Sequence, residues 1–126
     1  MIVRENKLFP SQPPEKDFGN KEYKLHLLFN ERKYKKKNMN KFDIFLNKRG
    51  TQMLYRIYEG DGKALYIIGI DDNGSNIGID EKSLNTSLEN IKLISETINA
   101  KVKSIRLYNG DKGTIATVRI YKNIFI

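Results

Sequence analysis

Two hydrophobic periods alternate along the chain. Glu22 to Phe29 alternates and then turns apolar at Leu27-Leu28-Phe29, the pattern of a strand covered on part of its second face. From Lys41 to Glu59 the apolar residues Phe42, Leu46, Met53 and Ile57 recur at helical spacing. Gly50 interrupts that helix at a cost of about 1 kcal/mol relative to Ala, so a break is expected at Lys48-Arg49-Gly50. Gly60-Asp61-Gly62 then ends it. Lys63 to Ile70 reads as a strand, Asp71-Asp72-Asn73-Gly74 as a hairpin turn, and Ser75 to Ile79 as the returning strand, because Asn-Gly tolerates positive φ. Asp80 or Ser83 caps a second helix whose stripe is Leu84, Leu88, Ile91, Ile94 and Ile98. Lys101 to Tyr108 and Thr114 to Lys122 both alternate around Asn109-Gly110-Asp111-Lys112-Gly113, predicting a second hairpin. The order strand, helix, hairpin, helix, hairpin predicts an α+β domain of about five mostly antiparallel strands, with both helices packed on one face.

The segments outside these elements are polar. Residues 1–20, with Pro13-Pro14 and Gly19-Asn20, read as a flexible lead-in that becomes ordered near Glu15, which leaves 21–126 as a single domain. Asn30 to Asn40 reads as a loop or frayed helix start. A chain of 126 residues has room for one modest core. It contains no Cys, which excludes disulfides and cysteine zinc sites and makes a reducing, cytoplasmic setting the expectation. No stretch of about 18 uncharged apolar residues occurs, so no membrane partner is expected.

Charge changes the picture more than composition does. The formal net charge of +8 is unevenly laid out: residues 31–56 hold nine Lys/Arg against two Asp/Glu, residues 101–126 hold six against one, and residues 57–100 hold three against eight. Such clustering points to a polyanionic partner. The candidate RNA-binding residues are Lys33, Lys35, Lys36, Lys37, Lys41, Lys48, Arg49 and Arg56, joined by Arg32 and interleaved with Tyr34, Phe42, Tyr55 and Tyr58. In that mix cations neutralise phosphates while an aromatic ring stacks on a base. Lys103, Arg106, Arg119 and Lys122 lie on the second hairpin, where alternate residues share a face and extend such a patch.

Other candidate chemistry reads as structural. Glu59-Gly60-Asp61-Gly62-Lys63-Ala64 lacks the first Gly and the hydroxyl of a phosphate loop. Asp71 and Asp72 fit turn chemistry, and the lone His26 has no acid or nucleophile beside it in sequence. Catalytic and metal-ligating residues are therefore assigned as none.

Pro13-Pro14-Glu15, Gly19-Asn20, Glu22-Tyr23-Lys24-Leu25, Thr51-Gln52-Met53, Glu59-Gly60-x-Gly62 and Ile68-Gly69-Ile70-Asp71-Asp72-Asn73-Gly74 follow one another in a familiar order. Extended by Ser87-Leu88 and Thr117 to Arg119, the succession resembles the amino-terminal domain of GTP-binding-protein-1-like translational GTPases, relatives of the tRNA-delivering elongation factor. The resemblance covers about residues 13 to 122 and implies a place in translation or RNA surveillance. It also implies that GTP and Mg belong to a following GTPase domain absent from this chain, that this chain is not itself an enzyme, and that its partners are RNA (tRNA or ribosomal) or the GTPase domain of the same or a companion protein. The chain differs from the family in extra Lys-rich residues between its first strand and Thr51. A fainter similarity, carried by Glu22-Tyr23-Lys24 and Ile68-Gly69-Ile70-Asp71-Asp72, is to the Schlafen Alba-like core, some members of which cut tRNA with three carboxylates. Asp17, Glu22 and Asp71 would match these, with Asp in place of the usual first Glu and with the Schlafen zinc ligands missing.

Overall fold

The computed structural model describes residues 2–34 and 40–125. Its elements are β1 (Ile2–Leu8), β2 (Lys21–Lys24), α1 (Lys41–Glu59), β3 (Lys63–Ile68), α2 (Glu81–Thr97), β4 (Lys101–Asn109) and β5 (Thr114–Tyr121). The strands form one sheet in the order β1-β4-β5-β3-β2. At its centre β5 runs antiparallel to both β3 and β4, while the outer pairs β1–β4 and β2–β3 are parallel. Both helices cover one face, as the α+β reading expects.

α1 begins where Asn40 accepts the N–H groups of Phe42 and Asp43 at 3.1 and 3.2 Å, satisfying two orphan donors of the first turn. It runs unbroken through Gly50. A Cβ at Gly50 would lie 2.6 Å from Thr97 Oγ1, so the missing side chain lets α1 approach α2 closely and offsets the helix-propensity cost. Of the two expected caps for α2, Asp80 serves, accepting the Ser83 N–H at 3.0 Å. That hydrogen bond, given to the charged form, holds the Asp80 carboxyl below its ordinary pKa. Met53 and Ile57 of α1 and Leu84, Ile91 and Ile94 of α2 meet the alternate strand residues Ala64, Tyr66, Ile68, Ala116, Val118 and Ile120 in the main core.

Three expected segments take other forms. The strand foreseen over Glu22 to Phe29 is only Lys21–Lys24. Beyond it Leu27 dives into the main core, and its backbone pairs with α2 side chains: the Leu27 N–H donates to Ser87 Oγ at 2.9 Å and its carbonyl accepts from Asn90 Nδ2 at 2.8 Å. The apolar run thus fills the core as an irregular segment. Ser75 to Ile79 forms no returning strand, because β3 already has β2 on one side and β5 on the other and offers no free edge. The Asp71–Gly74 turn itself is present, with Gly74 at φ +90° and its N–H on the Asp71 carbonyl at 2.9 Å. The chain beyond it gives its carbonyls at Asn76 and Ile77 to the β4–β5 turn, where Asp111 and Lys112 donate at 2.9 and 2.7 Å.

The third difference lies at the start. Residues expected as a flexible lead-in contain β1, which pairs in parallel with β4, Ile2 opposite Ile105 and Arg4 opposite Leu107. Its residues are mostly exposed, and an ion pair joins Glu5 to Arg106. An edge strand held by ladder hydrogen bonds and charges carries little of the apolar signal that periodicity detects. After it Phe9 is buried against Tyr108, ring centroids 5.0 Å apart; the Pro13 carbonyl accepts from the Tyr23 hydroxyl at 2.9 Å, and the Asp17 carbonyl accepts from the Tyr55 hydroxyl of α1 at 2.7 Å before the chain enters β2.

Candidate nucleic-acid interface

The basic residues of the Lys-rich segment do not act alike once folded. Asn30 caps a short 3₁₀ turn, Glu31–Lys33, on which Lys33 is exposed. Beneath it Phe29, Phe42 and Phe45 pack with centroids 5.3 to 5.8 Å apart, and Tyr34 lies 5.7 Å from Phe29. Two of the aromatics expected to stack on bases, Tyr34 and Phe42, are thereby engaged with protein. Lys48 is exposed, its Nζ 5.8 Å from the Tyr34 ring centroid, while Lys41 pairs with Glu31 at 3.5 Å. Arg49 is half-buried over Phe45, and its buried Nε has no partner among the described residues. Lys35, Lys36 and Lys37 lie outside the described residues.

Arg56 has to be removed from the RNA-facing set. Only 4% of it is exposed, and its guanidinium is spent inside the protein. Nε donates to Glu22 Oε1 at 2.9 Å, Nη1 to the Gly19 carbonyl at 3.0 Å and Nη2 to the Lys16 carbonyl at 2.9 Å, with Glu15 3.8 Å away. The planar fork thus ties residues 15–22 to α1. Burial raises the pKa of Glu15; the hydrogen bond from the Tyr23 N–H opposes this, Glu22 and Asp72 add to the rise, and Arg56 lowers it. Burial likewise drives the Tyr66 hydroxyl far above its ordinary value.

The same network removes the geometric support for a carboxylate triad. Glu22 is buried against Arg56 and Lys24, and Asp17, Glu22 and Asp71 do not come together as a possible metal-holding group among the described residues. Glu59 to Ala64 runs from helix through turn to strand, whereas a phosphate loop leads from strand into helix.

A second basic surface lies on the sheet face away from the helices. By register Lys21 stands beside Leu65, Leu65 beside Arg119 and Arg119 beside Ser104; in the next row are Tyr23, Ile67, Thr117 and Arg106. A register shift between Val102 and Ser104 marks a bulge, and Lys103 turns onto this face with Nζ 5.1 Å from the Tyr121 ring centroid. Two adjoining clefts that share Leu65 and Arg119 are lined by Lys7, Lys21, Lys63, Lys103, Arg106 and Arg119 against one carboxylate, Glu5. The larger has a volume of about 440 Å³. Alternate members of Lys103, Arg106, Arg119 and Lys122 were expected to share a face; Arg106 and Arg119 do, and the bulge brings Lys103 to them. Lys122 follows β5 at the opposite parity from Arg119, with its N–H on the Gly62 carbonyl at 2.9 Å.

Sequence reasoning missed Lys7, Lys21 and Lys63. Lys21 and Lys63 have the strand parity of Tyr23 and of Leu65 and Ile67, a signal present in the sequence once those strands are aligned. Lys7 sat in a segment read as unstructured. No described helix is long and apolar enough to cross a membrane.

Fold and surface define a small α+β domain with helices on one side of its sheet and cations on the other. No protein-family model and no solved structure matches the chain. It is 36% identical over 97 residues to GTP-binding protein 2 of Mus musculus and of Homo sapiens, a match spanning 77% of this chain but 14% of those proteins. It is 33% identical over 79 residues to Uncharacterized protein R625 of Acanthamoeba polyphaga mimivirus, covering 62% of this chain and 42% of that protein. The similarity to GTP-binding protein 2 is thus domain-sized, consistent with the expected amino-terminal domain of a GTP-binding-protein-like protein.

Proposed function

We propose that this chain is the amino-terminal accessory module of a translation-related, cytoplasmic GTP-binding protein, and that it contacts RNA, either tRNA or ribosomal RNA. The observation that carries the reading is the open sheet face with six cations and one acid, on a chain similar to part of a GTP-binding protein. Phosphates binding there would release counterions from the RNA. GTP and Mg would be bound, and GTP hydrolysed, by another domain; in this reading the module positions RNA and performs no chemistry of its own.

One observation favours a second reading, docking on the GTPase domain of the same or a companion protein. The helices leave an apolar groove beside α2, lined by Leu88, Ile91, Ala100, Val102 and Ile105, and a neighbouring domain could cover it. Titration of the chain with fluorescent tRNA and with an unstructured RNA, beside an unrelated basic protein of equal net charge, separates the two. Saturable binding tighter than that of the control is the expected result; binding no tighter than the control would overturn the RNA reading in favour of domain docking.

A further inference from the structure

Within the reading that the module contacts RNA, on which this inference rests, we infer that the open sheet face, and not the Lys-rich segment before α1, is the RNA surface, and that it takes a single strand.

The spacing and floor of that face carry the inference. Lys21 and Arg119 stand in register across β3 with Leu65 between them, two inter-strand steps or roughly 10 Å apart. Arg106 lies one row further along on β4, partly occupied by Glu5. Lys63 and Lys103 flank the other side of Arg119, so the cations surround the half-buried side chain of Leu65, beside which Ile67 is buried. Tyr108, packed on Phe9, and Tyr121, with Lys103 beside its ring, border Leu65, both half-buried and lining the clefts. A border of cations around apolar and aromatic floor suits a chain whose phosphates and unstacked bases are both exposed. An A-form duplex hides its bases and offers mainly phosphates and 2′-hydroxyls, so it has less use for such a floor. An acidic peptide would satisfy the cations but leave the aromatic border without flat partners.

The segment before α1 fits less well. Within α1 itself Lys41 is paired, Arg49 is packed on Phe45 and Arg56 is buried, and the ring of Tyr34 packs against Phe29 and lies beside Lys48; Arg32, Lys33 and Lys48 stay exposed.

The test compares two variants of the chain with a fluorescent 12-nucleotide RNA and with the duplex of the same sequence. In the first, Lys21, Lys63, Lys103 and Arg119 are changed together to Ser; in the second, Lys33, Lys35, Lys36, Lys37 and Lys48 are. All four residues in the first set are exposed, and thermal unfolding of both variants, with a third carrying Lys103→Arg and Arg119→Lys, controls for folding. The first variant is expected to lose affinity for the single strand by roughly tenfold or more, the second by less than about threefold, and the charge-preserving variant to bind like the unaltered chain. Loss confined to the second variant would overturn the sheet-face assignment while leaving RNA contact intact. Tighter binding of the duplex, or equal displacement of the RNA by polyglutamate, would overturn the choice of a single strand. Absence of RNA binding by the unaltered chain would instead defeat the broader reading.

Discussion

Arg56 bears the same charge as the exposed lysines and has the opposite use. A count of charges along the sequence places it with the phosphate-binding candidates because counting is blind to burial. Its helical position was nevertheless informative: it stands three residues after Met53 and beside Ile57, on the face that α1 buries. Buried with Glu22 as partner and two backbone carbonyls as further acceptors, it holds residues 15–22 onto the domain. Replacing it by Met strands a carboxylate in the interior. Arg56→Met should therefore lower unfolding free energy by about 3–5 kcal/mol in a denaturant titration, and Arg56→Met with Glu22→Leu should recover part of it. A loss below about 1 kcal/mol for the single change would contradict the view of this pair as a lock.

At the scale of elements, legibility followed locality. Both helices and the β4–β5 hairpin were readable because their signals lie within the element itself: each helix carries its apolar stripe, Asp80 caps α2, and Asn109 to Gly113 turns. The failures depend on neighbours distant in sequence. A returning strand after Asn73-Gly74 needs a vacant edge on β3, and the sequence does not say that β2 and β5 flank it. β1 needs β4, about 100 residues later in the chain. Five strands result all the same, because β1 supplies the fifth where the returning strand does not. Gly50 is a local rule overridden by tertiary contact. Gly50→Ala should gain helix propensity yet lose more by pressing on Thr97, whose hydroxyl is tethered to the Ile94 carbonyl at 2.7 Å. We expect a lower Tm for Gly50→Ala and partial restoration by adding Thr97→Ala. A Tm above that of the unaltered chain would show that the helices do not meet closely there.

For the whole molecule, the charge layout in sequence and the charge layout in space differ. Residues 31–56 are the most basic stretch, but folding pairs or buries several of their cations. The open sheet face instead assembles single cations from β1, β2, β3, β4 and β5, none of them in a run. Of its members Arg106 and Arg119 were legible, since β4 and β5 could be aligned through one short turn, whereas Lys103 reaches the face only through the bulge. The similarity to GTP-binding protein 2 follows the same division: it was readable from the order of short motifs, and says nothing of which surface works. RNA held by phosphate contacts on this face binds more weakly as salt rises. The most direct measurement is the dependence of single-stranded RNA affinity on salt, for the unaltered chain and for the variant lacking Lys21, Lys63, Lys103 and Arg119. With Arg106 paired to Glu5, the five cations Lys7, Lys21, Lys63, Lys103 and Arg119 predict a slope of log affinity against log salt of about −3 to −4, flattening to about −1 in the variant. A slope near zero in the unaltered chain, or one that the four substitutions leave unchanged, would contradict phosphate contacts on this face.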